Sequence, residues 1–229
     1  MESQVTQRKG HEKCWILLYI AFSFLFLAAF ISLSILVKPF SDFATAHPYL
    51  MGFFKFAFLA TAGELISCRM AKGSWQAPSY VLVRYLIWGV IGIWITYMMK
   101  IFGAGVEMLM LGGLLPTVSI PWLQTLLRAF FISATMNLCF GPTFMAVHKC
   151  SDAYLDLRAE RKGRVSLKEV IGAVDFHRFV SFTLFKTIPL FWIPAHTVTF
   201  LLPAEFQVML AACLSVALGI ILNLRRKAS

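Results

Sequence analysis

Polar residues in this chain come in clusters, and long stretches almost free of them run between the clusters. Residues 14 to 37 read CWILLYIAFSFLFLAAFISLSILV between Lys13 and Lys38, with no ionisable group except Cys14 and Tyr19. As an α-helix rising about 1.5 Å per residue, this run reaches ~36 Å, enough to cross the ~30 Å hydrocarbon layer of a bilayer. A signal peptide has an apolar core of only ~7–15 residues. An uncleaved transmembrane helix is therefore favoured, despite the Ala44-Thr45-Ala46 pattern that follows. Further apolar runs predict spans over about 48–68, 81–99, 123–147, 179–202 and 204–224. The run 179–202 contains Pro189 and Pro194 and is followed by Pro203. Each proline removes a backbone donor and clashes with the preceding turn, so a kinked or broken helix is expected, its freed carbonyls turned to protein or water. The stretch 101–121 is apolar but carries Gly103, Gly105, Gly112, Gly113, Pro116 and Pro121, which predicts a short, partly immersed helix and a loop.

The expected fold is all-α: a multi-pass transmembrane helix bundle of about six membrane segments with a proline-broken fifth. Along the chain it divides into a tail (1–13), an N-terminal membrane helix (14–37), a bundle (47–224) containing a basic loop (148–178), and a basic tail (225–229).

Composition narrows the class further. Hydrophobic residues make up 59% of the 229 and charged residues 14%, against about 25% charged in soluble domains. Mean hydropathy is +0.75. A water-soluble enzyme, a disordered chain and a disulfide-stapled secreted domain are all excluded on this balance. The five cysteines are odd in number and show no C-x-x-C or zinc-ligand spacing, so they read as small apolar fillers.

A net charge of +10 raises nucleic acid as a partner, but the distribution of the charge argues otherwise. Folded over six crossings, fifteen basic residues fall on one side, and only Lys38 and Lys100 fall on the other. That is a strong positive-inside bias, and it predicts both termini on the cytoplasmic (or topologically equivalent) side. The run Arg158, Arg161, Lys162 and Arg164 becomes a cytoplasmic loop, a candidate surface for anionic lipid or a partner. No stacking aromatics accompany it, so nucleic acid is not expected. The membrane is an inner or plasma membrane in a prokaryote, and an organelle membrane such as the mitochondrial inner or peroxisomal one in a eukaryote. The N-terminus lacks the Arg-rich amphipathic pattern of a mitochondrial presequence, and the C-terminus ends Lys-Ala-Ser, not Ser-Lys-Leu.

Ionisable side chains within the spans are the most informative residues, because each costs about 2.5–3.5 kcal/mol at a helix centre and needs a partner or a water path. Glu64 lies near the cytoplasmic end of the second span and Arg84 near the cytoplasmic start of the third. The two helices are antiparallel across a short loop, so a Glu64–Arg84 ion pair is predicted, either architectural or pore-lining. Lys55, nine residues before Glu64, falls on the opposite face and needs another acceptor or must snorkel. Arg128 and Glu205 fall near the far boundary, placed to meet there. Asn137 sits mid-span before a local break at Gly141-Pro142, and His196, Thr197 and Thr199 follow Pro194. Together these neutral groups can line a polar path or simply bond helices together. No nucleophile elbow, H-E-x-x-H motif or Gly-rich phosphate loop is present, so no enzyme and no cofactor are expected. Asp152 and Asp156 have a spacing that can hold a divalent metal, but they stand among basic residues without an acidic companion, and no metal is expected.

The segment AHPYLMGFFKFAFLATAGELISCRM, from Ala46 to Met70, resembles the opening of the Mpv-seventeen / peroxisomal-membrane-protein-22 family. His47-Pro48, Gly63-Glu64 and Ser67 stand at the family's spacing, with Glu for its usual Asp and Cys68 for its Gln. Arg84 with Trp88-Gly89 resembles the start of its second helix. Asn137 with Gly141-Pro142, and Trp192-Ile193 with His196, Thr199-Phe200 and Pro203, resemble its later signatures. The similarity covers about 47–223 and describes a divergent member with an added N-terminal helix. The resemblance implies four core membrane helices, weakly selective channel behaviour in some members, and no cofactor.

Two functions follow as expectations. One is a channel-like pore for small solutes of low selectivity, with Glu64 and Arg84 setting the charge of a cytoplasmic mouth and Asn137, His196 and Thr199 contacting solute near the middle. The alternative is a non-conducting scaffold or assembly factor acting through the basic loop 149–178. Membrane lipids, anionic ones among them, are the expected partners, and a homo-oligomer stays open.

Overall fold

A computed structural model describes the backbone of residues 2–161 and 163–228, and side-chain surroundings for 12–161 and 163–221. Among these residues all regular structure is helical. Helix α1 (Glu2–Leu36) is followed by α2 (Lys38–Ala46), α3 (Pro48–Lys72), α4 (Val81–Leu111), α5 (Pro121–Cys139), α6 (Gly141–Arg161), α7 (Leu167–Ala173) and the single turn α8 (Phe176–Arg178). A π-helix, π1 (Phe179–Trp192), then runs directly into α9 (Ile193–Phe200), and α10 (Ala204–Ala228) closes the chain.

Proline and glycine place most of the boundaries. Pro39, Pro48 and Pro121 each stand in the first turn of a helix, where the missing N–H leaves no bond unmade. Gly73, at φ 72°, ends α3 in the left-handed conformation, its N–H donating to the Arg69 carbonyl. Pro142 follows the break between α5 and α6, which meet at a bend of 47°.

The chain divides into two compact units, one made of residues up to Thr96 together with those from Val208 on, the other of Tyr97–Gln207. In the first unit α1 packs along α3. Tyr19 donates its hydroxyl hydrogen to the Ala57 carbonyl at 3.2 Å, and the rings of Phe22 and Phe26 meet Phe58 with centroids 5.3 and 4.9 Å apart. Helices α3 and α4 touch through backbone at Gly52 and Gly92. A Cβ on Gly52 would stand 2.8 Å from the Gly92 carbonyl oxygen, and one on Gly92 would stand 2.7 Å from Phe56 Cβ. Small residues at such a crossing let two helices reach van der Waals contact along their backbones, which is how helices associate where lipid removes the hydrophobic drive. Helix α3 meets α10 in the same way, Gly63 lying against Val216. In the second unit α5 lies along α9, tied by the Ser133 hydroxyl, which donates to the Ile193 carbonyl at 2.7 Å.

The outer surface is apolar where a soluble protein would be polar: Leu36 is 80% exposed, Leu190 77%, and Leu18, Leu25, Leu82 and Phe185 are also exposed. Among the described residues, four helices are long and apolar enough to cross a membrane: Glu12–Leu36, Pro48–Lys72, Val81–Leu111 and Ala204–Ile221. The bent pair α5–α6 makes a fifth if it counts as one span. These are the helices of a multi-pass membrane protein.

The count is thus about five, not six, and two expectations change. The run 179–202 is not one membrane-crossing α-helix. Pro189 and Pro194 interrupt the α-register, so it divides into fourteen π residues and eight α residues. The 101–121 stretch does not begin with a separate helix, because α4 continues through Gly103 and Gly105 to Leu111. Glycine is only weakly unfavourable in a helix, and an apolar setting leaves its backbone no better hydrogen-bond partner. Residues 38–46, for which no element was expected, also form a helix.

Candidate functional site

The predicted Glu64–Arg84 pair is present. Arg84 Nη1 donates to Glu64 Oε1 at 2.7 Å, and the two side chains are 5% and 19% exposed. Arg84 Nε donates to the Ser79 carbonyl at 2.9 Å, and Trp88, one turn further along α4, donates its indole N–H to Glu64 Oε2 at 3.2 Å. Both carboxylate oxygens and two guanidinium nitrogens are engaged, so the charges neutralise one another inside the first unit. Lys55 lies away from Glu64, as the helical phase requires. It is buried, and its Nζ sits over the Phe30 ring of α1 at 4.1 Å from the centroid, a cation–π contact.

Arg128 meets Glu107 on α4, not Glu205; the two side chains are roughly half exposed. Sequence reasoning missed Glu107 because it assigned that stretch to a short, separate helix and a loop rather than to a continuation of α4. Once α4 runs to Leu111, Glu107 lies one turn from its end and Arg128 two turns into the antiparallel α5. The depth argument that paired Glu64 with Arg84 applies to them as well.

The second unit gathers the neutral polar residues. Asn137 on α5 and His196 on α9 are both buried. The Asn137 amide nitrogen donates one hydrogen to the Ser133 carbonyl at 2.8 Å and lies 3.0 Å from His196 Nδ1. The amide oxygen is 3.2 Å from the same ring nitrogen. The Ile193 carbonyl accepts from both Ser133 and Thr197, the latter at 2.8 Å. Thr199 is fully buried, and its hydroxyl donates to the Ala195 carbonyl of its own helix at 3.0 Å. Of the three residues expected near a polar middle, the fold therefore joins Asn137 to His196, while Thr199 bonds back onto its own helix.

Trp192, which sequence reasoning noted only as part of a signature, lies one turn before His196, with ring centroids 5.1 Å apart. Its indole Nε1 and His196 Nε2 are buried and have no hydrogen-bond partner within the protein. The i, i+4 spacing of two polar rings after a proline was the available signal.

The stretch expected as a basic loop, 148–178, is largely helical, with Arg158 and Arg161 in the last turn of α6 and α7 following. Arg158 donates to the Gly163 carbonyl, and Arg161 pairs with Glu169. Glu169 in turn completes a capping box with Ser166 at the start of α7. The Ser166 backbone N–H, its hydroxyl and Arg161 together hold the Glu169 carboxyl below the ordinary carboxylate value. Arg164 is exposed. Lys162 lies outside the described residues. Among the described residues no three His, Cys, Asp or Glu side chains gather as a metal site.

The chain matches no protein-family model, no curated protein and no solved structure.

Proposed function

We propose that this is an integral membrane protein forming a channel-like pore for small solutes of low selectivity, a divergent relative of the Mpv-seventeen / peroxisomal-membrane-protein-22 family. The observation that carries the reading is the buried Asn137–His196 pair, set between α5 and a proline-broken segment whose first part is a π-helix. Non-helical or irregular backbone at membrane depth is tolerated where it is buried in protein or lines a water-filled path, and π segments recur at functional sites. On this reading the solute meets Asn137 and His196. Glu64 and Arg84, paired with each other and bonded to Trp88 and Ser79, hold the first unit together and do not charge a mouth. Proteoliposomes carrying the protein should release small solutes, with release falling as solute size rises. Tight vesicles holding folded, inserted protein would defeat the proposal.

With five crossings the three basic residues of the C-terminal tail move to the far side. Twelve basic residues against five still favour a cytoplasmic N-terminus and basic loop.

The alternative, a scaffold working through the loop, draws on a different observation: Leu167 and Ile171 are exposed beside Arg164 on the capped helix α7, an apolar-plus-basic surface suited to a lipid headgroup layer. Vesicles containing anionic lipid should bind this loop in a salt-sensitive way under the scaffold reading; salt-independent binding would defeat it.

A further inference from the structure

The polar groups around the α5–α9 contact are satisfied with two exceptions. Ser133, Asn137, Thr197 and Thr199 all have partners inside the protein. The indole Nε1 of Trp192 and Nε2 of His196 do not, although each residue is only 8% exposed. They belong to rings one helical turn apart, with centroids 5.1 Å apart and planes tilted by 34°. Buried polar atoms without partners are rare in folded proteins, and two on neighbouring rings among satisfied groups point to a partner that does not come from the chain.

The chemistry of that partner follows from proton placement. An indole nitrogen can only donate. The Asn137 amide nitrogen donates to the Ser133 carbonyl, and both amide atoms face His196 Nδ1, the nitrogen at 3.0 Å and the oxygen at 3.2 Å; we assign the nearer contact as the bond, with the amide nitrogen donating and Nδ1 accepting. A ring that accepts at Nδ1 carries its proton at Nε2. Both free groups are then N–H donors. Two donors in an apolar setting repel a cation and have nothing to offer a group that only donates. They suit an oxygen with lone pairs to spare.

We propose that Trp192 Nε1–H and His196 Nε2–H form a binding site for the acceptor oxygen of a small solute, a carbonyl or a carboxylate. Binding at this site stands on the orphaned donors alone. The statement that such solutes are what the protein passes rests on the pore reading above and deepens it, by making acceptor-bearing solutes the ones held and ammonium-like cations the ones refused.

The test is the indole ¹⁵N–¹H resonance of Trp192, recorded on labelled full-length protein in lipid nanodiscs and assigned by its loss in Trp192→Phe. Acetamide supplies the carbonyl, formate the carboxylate, and ammonium the control. The Trp192 resonance should move saturably with acetamide, formate or both, stay in place with ammonium, and leave the other five indole signals unmoved. The arm that saturates at lower concentration identifies which oxygen is preferred. His196→Phe should weaken that binding about tenfold, equivalent to about 1.4 kcal/mol, while the Trp192 signal stays dispersed and so reports an intact fold. A resonance that moves with neither acceptor, one that moves equally with ammonium, or unchanged affinity in His196→Phe overturns the proposal. So does a resonance that shows only a cross-peak to water, which makes the site structural. Saturable binding in a protein that does not conduct keeps the site and removes the pore; conduction with an unmoved indole does the reverse.

Discussion

Glu64→Gln takes away one charge and almost no volume, so its effect isolates what the pair contributes. Arg84 stays behind with a side chain 5% exposed and its Nε held by Ser79. Breaking a buried ion pair by removing one member costs about 3–5 kcal/mol, most of it the penalty of the charge left without its partner. Glu64 keeps some contact with solvent, and the glutamine oxygen can still accept from Arg84 or Trp88, which places the cost at the low end. About 3 kcal/mol corresponds to a shift of more than a hundredfold in the unfolding equilibrium. Removing both charges, in Glu64→Gln/Arg84→Met, leaves no buried charge at the site and should recover most of the loss, with a coupling of ~2 kcal/mol or more between the sites. Equilibrium unfolding in mixed micelles, followed by circular dichroism as the denaturing detergent rises, measures all three variants on one scale. A Glu64→Gln cost below ~0.5 kcal/mol, or a double variant equal to the sum of the singles, would refute the assignment of this pair as a desolvated, mutually dependent unit.

Other positions give equally direct outcomes. Gly92→Ala should cost about 1–3 kcal/mol, because its methyl meets Phe56 and the Gly52 backbone, whereas Gly103→Ala, with nothing within 4 Å, should be neutral or gain ~0.5–1 kcal/mol; the same unfolding assay separates them. Phe30→Leu should cost about 1–2 kcal/mol more with Lys55 present than in a Lys55→Met background, as a double-mutant cycle reads, because the ring faces the buried ammonium. The Glu169 carboxyl is depressed in the folded loop, so its contribution is complete above its ordinary value of 4.5 and is lost as pH falls through the depressed one. Hydrogen exchange across 166–173, corrected for intrinsic rates, should accelerate on acidification, and Glu169→Gln should show the faster exchange already at neutral pH.

Much of the architecture is legible in the sequence because a bilayer imposes long uninterrupted runs. The run 14–37, the break at Gly141-Pro142 and the Glu64–Arg84 pairing all follow from length, proline chemistry and equal depth on antiparallel helices. What could not be read has physical causes. The glycines at 103 and 105 looked like breakers, yet helix α4 continues through them, since the penalty per glycine is small beside that of leaving backbone groups unpaired in an apolar setting. That misreading also hid Glu107 and sent Arg128 to the wrong partner. The π-helix leaves no trace in a 3.6-residue pattern, so two prolines pointed to a kink without revealing the wider register. The Trp88 bond to Glu64 and the Trp192–His196 ring contact depend on rotamers that spacing does not determine.

The central claim is that solute passes by Asn137 and His196. Single-channel recording of purified protein in planar bilayers tests it most directly, comparing the parent with Asn137→Leu and with Glu64→Gln/Arg84→Gln. The account predicts discrete openings whose amplitude or selectivity changes in Asn137→Leu and is kept by whatever fraction of the double variant remains folded. A silent bilayer, with protein proven folded and inserted, would contradict the pore. Openings indifferent to Asn137→Leu would contradict the path assigned to it.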